Sequence, residues 1–265
     1  MNQNEAGNKA KKLLVIVPHS GTKRPSEIKK EWLSEYQNRF LYGNDCETDR
    51  YTEKLYDFRK ILTNHQIVFP YSQIYINICR SINNLNDVFP LYINKLPVYK
   101  IIENINLKLK KKLLKKYYFL FYKQIGKIDK KLILNGHSTI AGHQSLGKEK
   151  LNADIVLSNY LKYERKIIKF APDEYLDFYE NEIKKRMPFL KIEKNSIYIS
   201  TYDAICYKFG WDGISKKTGR VPVIHQETNE KLYMDSNKIN FKKLKILRNC
   251  LAKSLFATMK HFKLV

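Results

Sequence analysis

Short, strongly apolar runs alternate with longer amphipathic stretches along this chain, and this alternation is the feature that most restricts its fold. Leu13–Val17 is a compact run of leucine and β-branched residues, the composition of a strand buried on both faces. From Val98 to about Gly126, apolar residues recur every three or four positions, which predicts a long amphipathic helix. Strands that alternate with helices predict an α/β fold, in which a mixed, mainly parallel sheet carries helices on both faces.

The same two patterns predict the other elements. Further strands are expected at 74–78, 131–135, 153–157, 196–200 and 221–225. Further helices are expected from near Ser26 and over 51–64, 173–187 and 240–262. No internal repeat or low-complexity linker divides the sequence, so we expect a polar lead-in at 1–12 and a single domain over 13–265.

Composition narrows the class of protein. Apolar residues make up 43% of the chain, which excludes a disordered basic tail. No run approaches the roughly 18 apolar residues that span a bilayer, so no membrane span is expected. The polar N-terminus lacks a signal-peptide core, and we therefore expect a cytoplasmic protein. The four cysteines are widely spaced without a CxxC pair, which argues against a disulfide framework or a thiolate zinc site.

The formal net charge of +23 raises nucleic acid as a partner. Two basic stretches with adjacent aromatic or apolar residues, Lys108–Tyr118 and Lys242–Lys245, support that possibility. Their lysines recur with helical spacing, however, and no RRM, KH or helix-turn-helix signature is present. A basic nucleic-acid-binding protein without catalysis is therefore the alternative function, and nucleic acid is not the favoured partner.

Histidines follow two of the predicted strands directly. His19 comes after the first strand, and His137 comes after the strand at 131–135. Ligands of open α/β sheets bind outside the carboxyl ends of the strands, so both imidazoles are candidate ligands. Two imidazoles and a carboxylate form a zinc site with one open position, as in catalytic zinc centres. Asp49 and Glu47 are both candidates for the carboxylate.

Two other strand ends carry a glutamate and an arginine. The strand at 221–225 runs into His225-Gln226-Glu227, and strand alternation places His225 and Glu227 on the same face. A glutamate near a catalytic zinc accepts a proton from water. The strand at 74–78 runs into Arg80, whose guanidinium fits a substrate carboxylate through two hydrogen bonds. Asp154 is a candidate acceptor for a ligand imidazole, with a structural role at a strand end as the alternative.

Five sequence blocks, taken in order over roughly residues 13–237, resemble the N-formylglutamate amidohydrolase family. The blocks are Val17–Thr22, Thr48–Arg50 followed by Leu55-Tyr56, Leu134–Ser138, Ala153–Leu157, and Gln226–Asn229 followed by Leu232–Asp235. A single block such as Pro-His-Ser-Gly is a weak signal, but the ordered set is specific. The resemblance implies a core similar to that of zinc carboxypeptidases.

The resemblance also implies an activity: zinc-dependent hydrolysis of the amide bond in an N-acyl amino acid such as N-formylglutamate, or in a small peptide-like substrate with a free carboxylate. It implies that Zn²⁺ is bound by His19, Asp49 and His137, with Glu47 as the second choice for the acidic ligand. Glu227 is similar to the general base of the family.

Substrate recognition follows from the same resemblance. Arg80 resembles the arginine that binds the carboxylate of a small anionic substrate, and Asn77, Asn83 and Asn84 are candidates to assist it. Two segments depart from the family. Residues 91–130 contain no histidine, and 207–213 replace a Gly-Gly segment. Both departures fall where the substrate is expected to be held, so amide hydrolysis is implied more strongly than N-formylglutamate itself.

Overall fold

The computed structural model describes residues 12–43, 46–62, 64–139, 152–163, 166–196, 203–211 and 220–265. The strands are β1 (Leu13–Val17), β2 (His65–Val68), β3 (Tyr92–Ile93), β4 (Leu96–Pro97), β5 (Leu132–Thr139), β6 (Ile155–Ser158), β7 (Tyr160–Tyr163), β8 (Lys166–Lys169), β9 (Ile192–Lys194), β10 (Val223–Asn229), β11 (Met234–Asp235) and β12 (Lys238–Ile239). The α-helices are α1 (Gln37–Tyr42), α2 (Thr52–Leu55), α3 (Leu85–Val88), α4 (Leu107–Leu113), α5 (Phe119–Lys127), α6 (Asp173–Arg186), α7 (Ala204–Phe209) and α8 (Phe241–His261).

Six strands form the main sheet in the order β2-β1-β5-β10-β6-β9. Strand β5 runs parallel to both β1 and β10, and β9 runs parallel to β6, whereas β6 and β10 are antiparallel. Every residue of β1, β5 and β6 is buried, as expected for strands covered on both faces. The predicted α/β class with a mixed, mainly parallel sheet is confirmed.

Helices cover both faces of this sheet. His225 and Gln226 are consecutive in β10, so their side chains point to opposite faces. The Oε1 atom of Gln226 accepts a hydrogen bond from Tyr179 of α6 at 2.9 Å. On the other face, Asn135, the register neighbour of His225, donates to Asp203 at the start of α7. The predicted placement of helices on both faces is therefore confirmed.

Contacts divide the chain into two compact units. The first unit comprises the described residues of 1–17, 50–67 and 129–265, and it contains the main sheet with α2, α6, α7 and α8. The second unit comprises 18–49 and 68–128, and it contains α1, α3, the β3–β4 hairpin, α4 and α5. The single domain over 13–265 stays a prediction.

The long helix of the second unit begins later than its apolar spacing predicts. Residues 98–106 form bends and a 3-10 turn at Ile102–Asn104, and the helix begins only after Asn106. The Oδ1 atom of Asn106 accepts from the backbone N–H of Leu109 at 3.0 Å, so this side chain caps the first turn. From there α4, a π-helical turn at Leu114–Tyr118 and α5 continue to Lys127.

Several other element predictions need correction. The strand predicted at 74–78 is wrong, because the carbonyl of Ser72 accepts from the N–H groups of Tyr75 and Ile76 and the segment turns instead of extending. The helix predicted over 51–64 is reduced to α2, and the segment after Ser26 has only a 3-10 turn at Lys30–Trp32. Apolar residues in these segments are buried in turns. An apolar run therefore predicts that a segment is buried more directly than it predicts whether the segment is a strand or a helix.

The predictions at β1, α6 and α8 are confirmed, and the strand predicted at 153–157 is observed as β6. The strands predicted at 131–135 and 221–225 are longer than expected, so His137 and Glu227 lie within β5 and β10 and not after them. The strand predicted at 196–200 falls almost entirely outside the described residues. Among the residues that are described, no helix has both the length and the apolar character needed to cross a membrane.

Candidate active site

Two parallel strands of the first unit bring four polar residues to one face of the sheet. In the register of β5 and β10, Asn135 pairs with His225 and His137 pairs with Glu227. Paired residues of neighbouring strands point the same way, so all four side chains share a face. Asn135 is fully buried, and His137 and Glu227 are 4% and 7% exposed. Buried polar groups of this kind need partners, and within the cluster Asn135 contacts His225 and His225 contacts Glu227.

His225 links the two predicted site residues of the cluster. Its Nε2 atom lies 3.3 Å from Oε1 of Glu227, and its ring stacks on that of His137 with the centroids 4.6 Å apart. The predicted shared face of His225 and Glu227 is thus confirmed. His225 thus contacts both of these candidate residues directly.

Asp203 is a further candidate residue of this cluster, and the sequence patterns did not predict it. Its Oδ1 atom accepts from the N–H of Cys206 at 2.7 Å, which caps helix α7, and its Oδ2 atom accepts from Asn135 at 3.0 Å. The same Oδ2 lies 3.9 Å from ring nitrogens of both His137 and His225. Burial would raise the pKa of Asp203, but His225, His137 and the Cys206 N–H favour the carboxylate and hold its pKa below the ordinary value.

The amide nitrogen of Asn135 lies close to three possible metal ligands. Asp203, Cys206 and His225 each offer one ligand atom, and these atoms lie within 4.8 Å of one another. However, Nδ2 of Asn135 is 3.0 Å from the aspartate oxygen, 3.3 Å from the imidazole nitrogen and 3.7 Å from the sulfur. Burial and the nearby Asp203 raise the pKa of the Cys206 thiol well above its ordinary value. The Asn135 amide nitrogen therefore contacts all three of these possible ligand atoms.

Tyr56 supports His137 from the opposite face of β5. Its hydroxyl donates to the carbonyl oxygen of His137 at 2.8 Å and lies 2.8 Å from the hydroxyl of Thr228. Gly136 makes room for the ring, because a Cβ atom at that position would lie 2.6 Å from two ring carbons of Tyr56. The Asn-Gly-His sequence thus places a tyrosine ring directly behind the histidine.

A second network closes the ends of β5 and β10. Glu230, just after β10, accepts from the hydroxyl of Ser138 at 3.1 Å and from the N–H and Nε–H of Arg50 at 3.0 and 2.7 Å. Arg50 also donates to the side chain of Asn237 at 2.8 Å. Glu230 is 4% exposed, so this is a buried, hydrogen-bonded ion pair. Arg50 and Ser138, which lie in two different blocks of the sequence resemblance, thus meet at one buried glutamate.

His19 and Asp49 lie side by side in the second unit. The N–H of Asp49 donates to the carbonyl of His19 at 3.1 Å, and Oδ2 of Asp49 lies 3.9 Å from Nδ1 of His19. Both side chains are 11% exposed. The turn that follows His19 requires glycine, because a Cβ atom on Gly21 would lie 2.3 Å from the carbonyl carbon of Pro70. Glu47, the other acidic candidate, is half-buried, and its backbone bonds to Phe40.

The turn that carries Arg80 is held by Asn77. The Oδ1 atom of Asn77 accepts from the N–H of Cys79 at 3.1 Å, and its Nδ2 donates to Gln73 at 3.1 Å. The carbonyl of Arg80 accepts from the hydroxyl of Tyr118 at 2.8 Å, which ties the turn to the long helix. Arg80 itself is half-buried. Asn77 therefore shapes the backbone that presents the arginine.

The remaining candidates have local structural roles. Asn84 is exposed and caps α3, since its Oδ1 accepts from the N–H of Asn86 at 3.1 Å; Asn83 is exposed beside it. Asp154 accepts from the N–H of Lys191 at 2.9 Å and pairs with Lys231 at 2.9 Å. These contacts correspond to the structural alternative for Asp154 at the start of β6.

The sequence matches no protein-family model and no curated protein. The structure is similar to N-formylglutamate amidohydrolase from Ralstonia eutropha JMP134, with a TM-score of 0.74 and 15% identity over 97% of this chain and 96% of that chain. It is also similar to the gene product Atu2144 from Agrobacterium tumefaciens, with a TM-score of 0.68 and 9% identity over 98% of this chain and 94% of that chain. The resemblance found in the sequence is thus confirmed at the level of the fold, which this chain shares with N-formylglutamate amidohydrolase over nearly its whole length.

Proposed function

We propose that this chain is a zinc-dependent amidohydrolase that cleaves the amide bond of an N-acyl amino acid or small peptide-like substrate with a free carboxylate. The observation that supports this most is the pairing of buried His137 with buried Glu227 on one face of two parallel strands. A glutamate in this setting is suited to move protons. The fold shared with N-formylglutamate amidohydrolase supports the class of reaction.

We assign His19, Asp49 and His137 as the residues that would hold Zn²⁺. The donor set fits, because two imidazoles and a carboxylate are typical ligands of catalytic zinc. Within the second unit, His19 and Asp49 already lie adjacent, with 3.9 Å between the facing atoms, and both are largely buried. When bound, zinc supplies a Lewis acid that polarises the amide carbonyl and favours deprotonation of water.

The protein side chains then move the protons and hold the substrate. The Glu227 carboxylate accepts a proton from the attacking water and delivers it to the nitrogen of the leaving amine. The Arg80 guanidinium binds the substrate carboxylate through two hydrogen bonds, and its placement depends on the turn that Asn77 holds. Asn84, at the start of α3, is proposed to contribute to the same carboxylate site.

Metal analysis of the purified protein tests the assignment of the ligands. We expect about one zinc per chain and a loss of that zinc in an H19A/H137A double variant. An H65A/H261A variant is the matched control, because it also removes two imidazoles but from exposed positions. Zinc retained by the first variant would contradict the assignment. A metal-free native protein that binds polynucleotide tightly at physiological salt would replace the proposal by the nucleic-acid alternative.

A panel of N-acyl amino acids tests the reaction. We expect E227Q to keep zinc and lose nearly all turnover, whereas E174Q, at an exposed position of α6, keeps both. R80A is expected to raise KM for substrates with a free carboxylate and to leave KM unchanged for their primary amides. Full turnover in E227Q would remove Glu227 from the mechanism.

A further inference from the structure

We propose that Glu230 is a positioning residue, which holds the chain beside two of the proposed zinc ligands. One of its partners, Arg50, directly follows Asp49 in the sequence. The other, Ser138, directly follows His137. The inference rests on the proposed function, because it takes Asp49 and His137 as ligands. The contacts of Glu230 that carry it lie within the first unit.

The Glu230 carboxylate is matched to four hydrogen-bond donors. Its Oε1 atom accepts from the backbone N–H of Arg50 at 3.0 Å and from the hydroxyl of Ser138 at 3.1 Å. Its Oε2 atom accepts from Nε–H of Arg50 at 2.7 Å and from Nη2 of the same guanidinium. An ionised carboxylate has only acceptors, so it fits four donors at once. Because Oε1 binds both Arg50 and Ser138, the two segments are joined at one buried atom.

The contacts with Arg50 hold its backbone as well as its side chain. The N–H that Glu230 accepts belongs to the peptide group that joins Asp49 to Arg50. The carbonyl of Arg50 accepts from the hydroxyl of Tyr233 at 2.9 Å, and Tyr233 is fully buried. Both backbone polar groups of Arg50 are therefore held by residues that follow β10. The chain that leaves Asp49 is thus fixed at the very next residue.

The backbone that follows Arg50 is strained. Tyr51 has a φ of 60° and a ψ of 13°, which is the left-handed region that side chains with a Cβ atom rarely adopt. Such a conformation costs on the order of 1–3 kcal/mol and persists only where the surrounding contacts enforce it. The hydrogen bonds on Arg50 lie directly before this residue, and α2 begins directly after it. We infer that these hydrogen bonds hold a turn that the chain would otherwise leave.

The contact with Ser138 acts on the strand and not on the imidazole. Ser138 and His137 are consecutive in β5, so their side chains point to opposite faces of the sheet. The hydroxyl of Ser138 is bound by Glu230 on the face away from the imidazole. Glu230 therefore leaves the imidazole of His137 free to bind a metal ion while it restrains the strand that carries it.

A second buried ion pair provides the matched control. Glu182 is 7% exposed, and its carboxylate accepts from Lys185 at 2.6 Å and from Nη1 of Arg186 at 2.7 Å. All three residues belong to α6, and none of them is next to a proposed ligand. Loss of either carboxylate is expected to lower stability, because a buried cation loses its partner. Only the loss of Glu230 is expected to change metal binding.

The zinc affinity of the folded protein tests the proposal. In E230Q an NH₂ group replaces one acceptor and faces donors, so the four-donor arrangement is broken. We expect zinc to bind about 10–100-fold more weakly, the size typical of a lost outer-shell contact, whereas E182Q binds it like wild type. Competition with a chromophoric chelator measures the affinities, and circular dichroism establishes that each variant is folded. Wild-type affinity in a folded E230Q, or an equal loss in E182Q, would overturn the proposal.

Milder variants decide the question if E230Q does not fold. S138A removes one of the four donors, and Y233F removes the hydrogen bond to the carbonyl of Arg50. Each is expected to weaken zinc binding by about 2–10-fold, which corresponds to one net hydrogen bond. S254A, at a buried position of α8, is the control and is expected to keep wild-type affinity. Unchanged affinity in both S138A and Y233F would overturn the positioning role.

The same measurements separate this inference from the proposed function. A wild-type protein that binds no zinc would overturn both. A wild-type protein that binds zinc but cleaves none of the N-acyl amino acids would overturn the proposed reaction, and weaker binding in E230Q would then still support the role of Glu230. Zinc bound equally by wild type, folded E230Q and S138A would overturn this inference alone.

Discussion

The hydroxyl of Tyr56 donates a hydrogen bond to the backbone carbonyl of His137 at 2.8 Å, from the face of β5 opposite the imidazole. The tyrosine is fully buried and also contacts Thr228 of β10, so it joins the two strands that carry His137 and Glu227. A proposed metal ligand and a proposed general base therefore share one buried support. Substitutions of Tyr56 are therefore expected to lower the free energy of unfolding more than they change the catalytic rate.

Removal of the Tyr56 hydroxyl tests that expectation. Y56F leaves the buried hydroxyl of Thr228 and the carbonyl of His137 without this partner, and we expect a loss of about 1–2 kcal/mol in the free energy of unfolding. Y92F, at a position that is 56% exposed, is the matched control and is expected to be neutral. The measurement is urea unfolding followed by circular dichroism. Equal stability of Y56F and wild type would show that the hydrogen bond contributes nothing to stability.

Glycine at 136 is expected to be essential for the same reason. In G136A the new Cβ would lie 2.6 Å from the Tyr56 ring, which is buried and has little room to move, so we expect a loss of about 1–3 kcal/mol. In G126A the new Cβ would have no neighbour within 4 Å, and the position lies inside α5. Since alanine favours helix over glycine, G126A is expected to gain about 0.5–1 kcal/mol. The unfolding temperatures of both variants are the measurement. G136A is expected to show the cost of the clash with Tyr56, and G126A the gain from reduced backbone freedom.

The parts of the fold that could be predicted are those that local patterns specify. Each of three elements has its apolar pattern within one continuous segment of the chain: the strand Leu13–Val17, the helix that begins at Asp173 and the helix that begins at Phe241. The shared face of His225 and Glu227 also follows from local geometry, because residues two positions apart in a strand point to the same face. These features depend on neighbouring residues in the chain, so no knowledge of tertiary contacts was needed.

The features that could not be predicted depend on distant contacts. Asp203 bonds to Asn135, which is 68 positions away, and only a helix-cap pattern marks it in the sequence. The run 74–78 is apolar because it is buried, yet hydrogen bonds to Ser72 turn its backbone. An apolar run in the sequence does not show whether the buried segment is a strand or a turn, because the rest of the fold determines which conformation is buried.

A buried carboxylate of the second unit makes stability depend on pH. Burial would raise the pKa of Glu27, but hydrogen bonds from Lys116 and Tyr117 outweigh it and lower the pKa from 4.5 to about 2. Because the pKa is depressed on folding, its stabilisation is complete above pH 4.5 and is lost as the pH falls toward 2. We expect E27Q to be less stable than wild type at pH 7 and the difference to vanish near pH 2.

Urea midpoints of wild type and E27Q, measured across that pH range, give the difference. Solvent screening reduces what the pKa shift implies, so about 1–2 kcal/mol is expected at pH 7. The exposed Glu35 provides the control, and E35Q is expected to follow the wild-type curve. A stability difference that stays constant from pH 7 to pH 2 would mean that E27Q acts through packing and not through charge.

The sequence leaves two candidates for the acidic zinc ligand, and the structure favours one of them. Both Asp49 and Glu47 precede Arg50, but only Asp49 has a carboxylate oxygen placed 3.9 Å from the imidazole of His19 and a backbone N–H bonded to its carbonyl. Loss of an outer-shell contact weakens metal binding by about 10–100-fold. We therefore expect D49N, which removes a proposed ligand, to weaken zinc binding by more than that. E47Q is expected to bind zinc like wild type, because Glu47 is not proposed to touch the metal. Competition with a chromophoric chelator measures both affinities under the same conditions. Retention of zinc by D49N together with its loss in E47Q would reverse the assignment and make Glu47 the ligand.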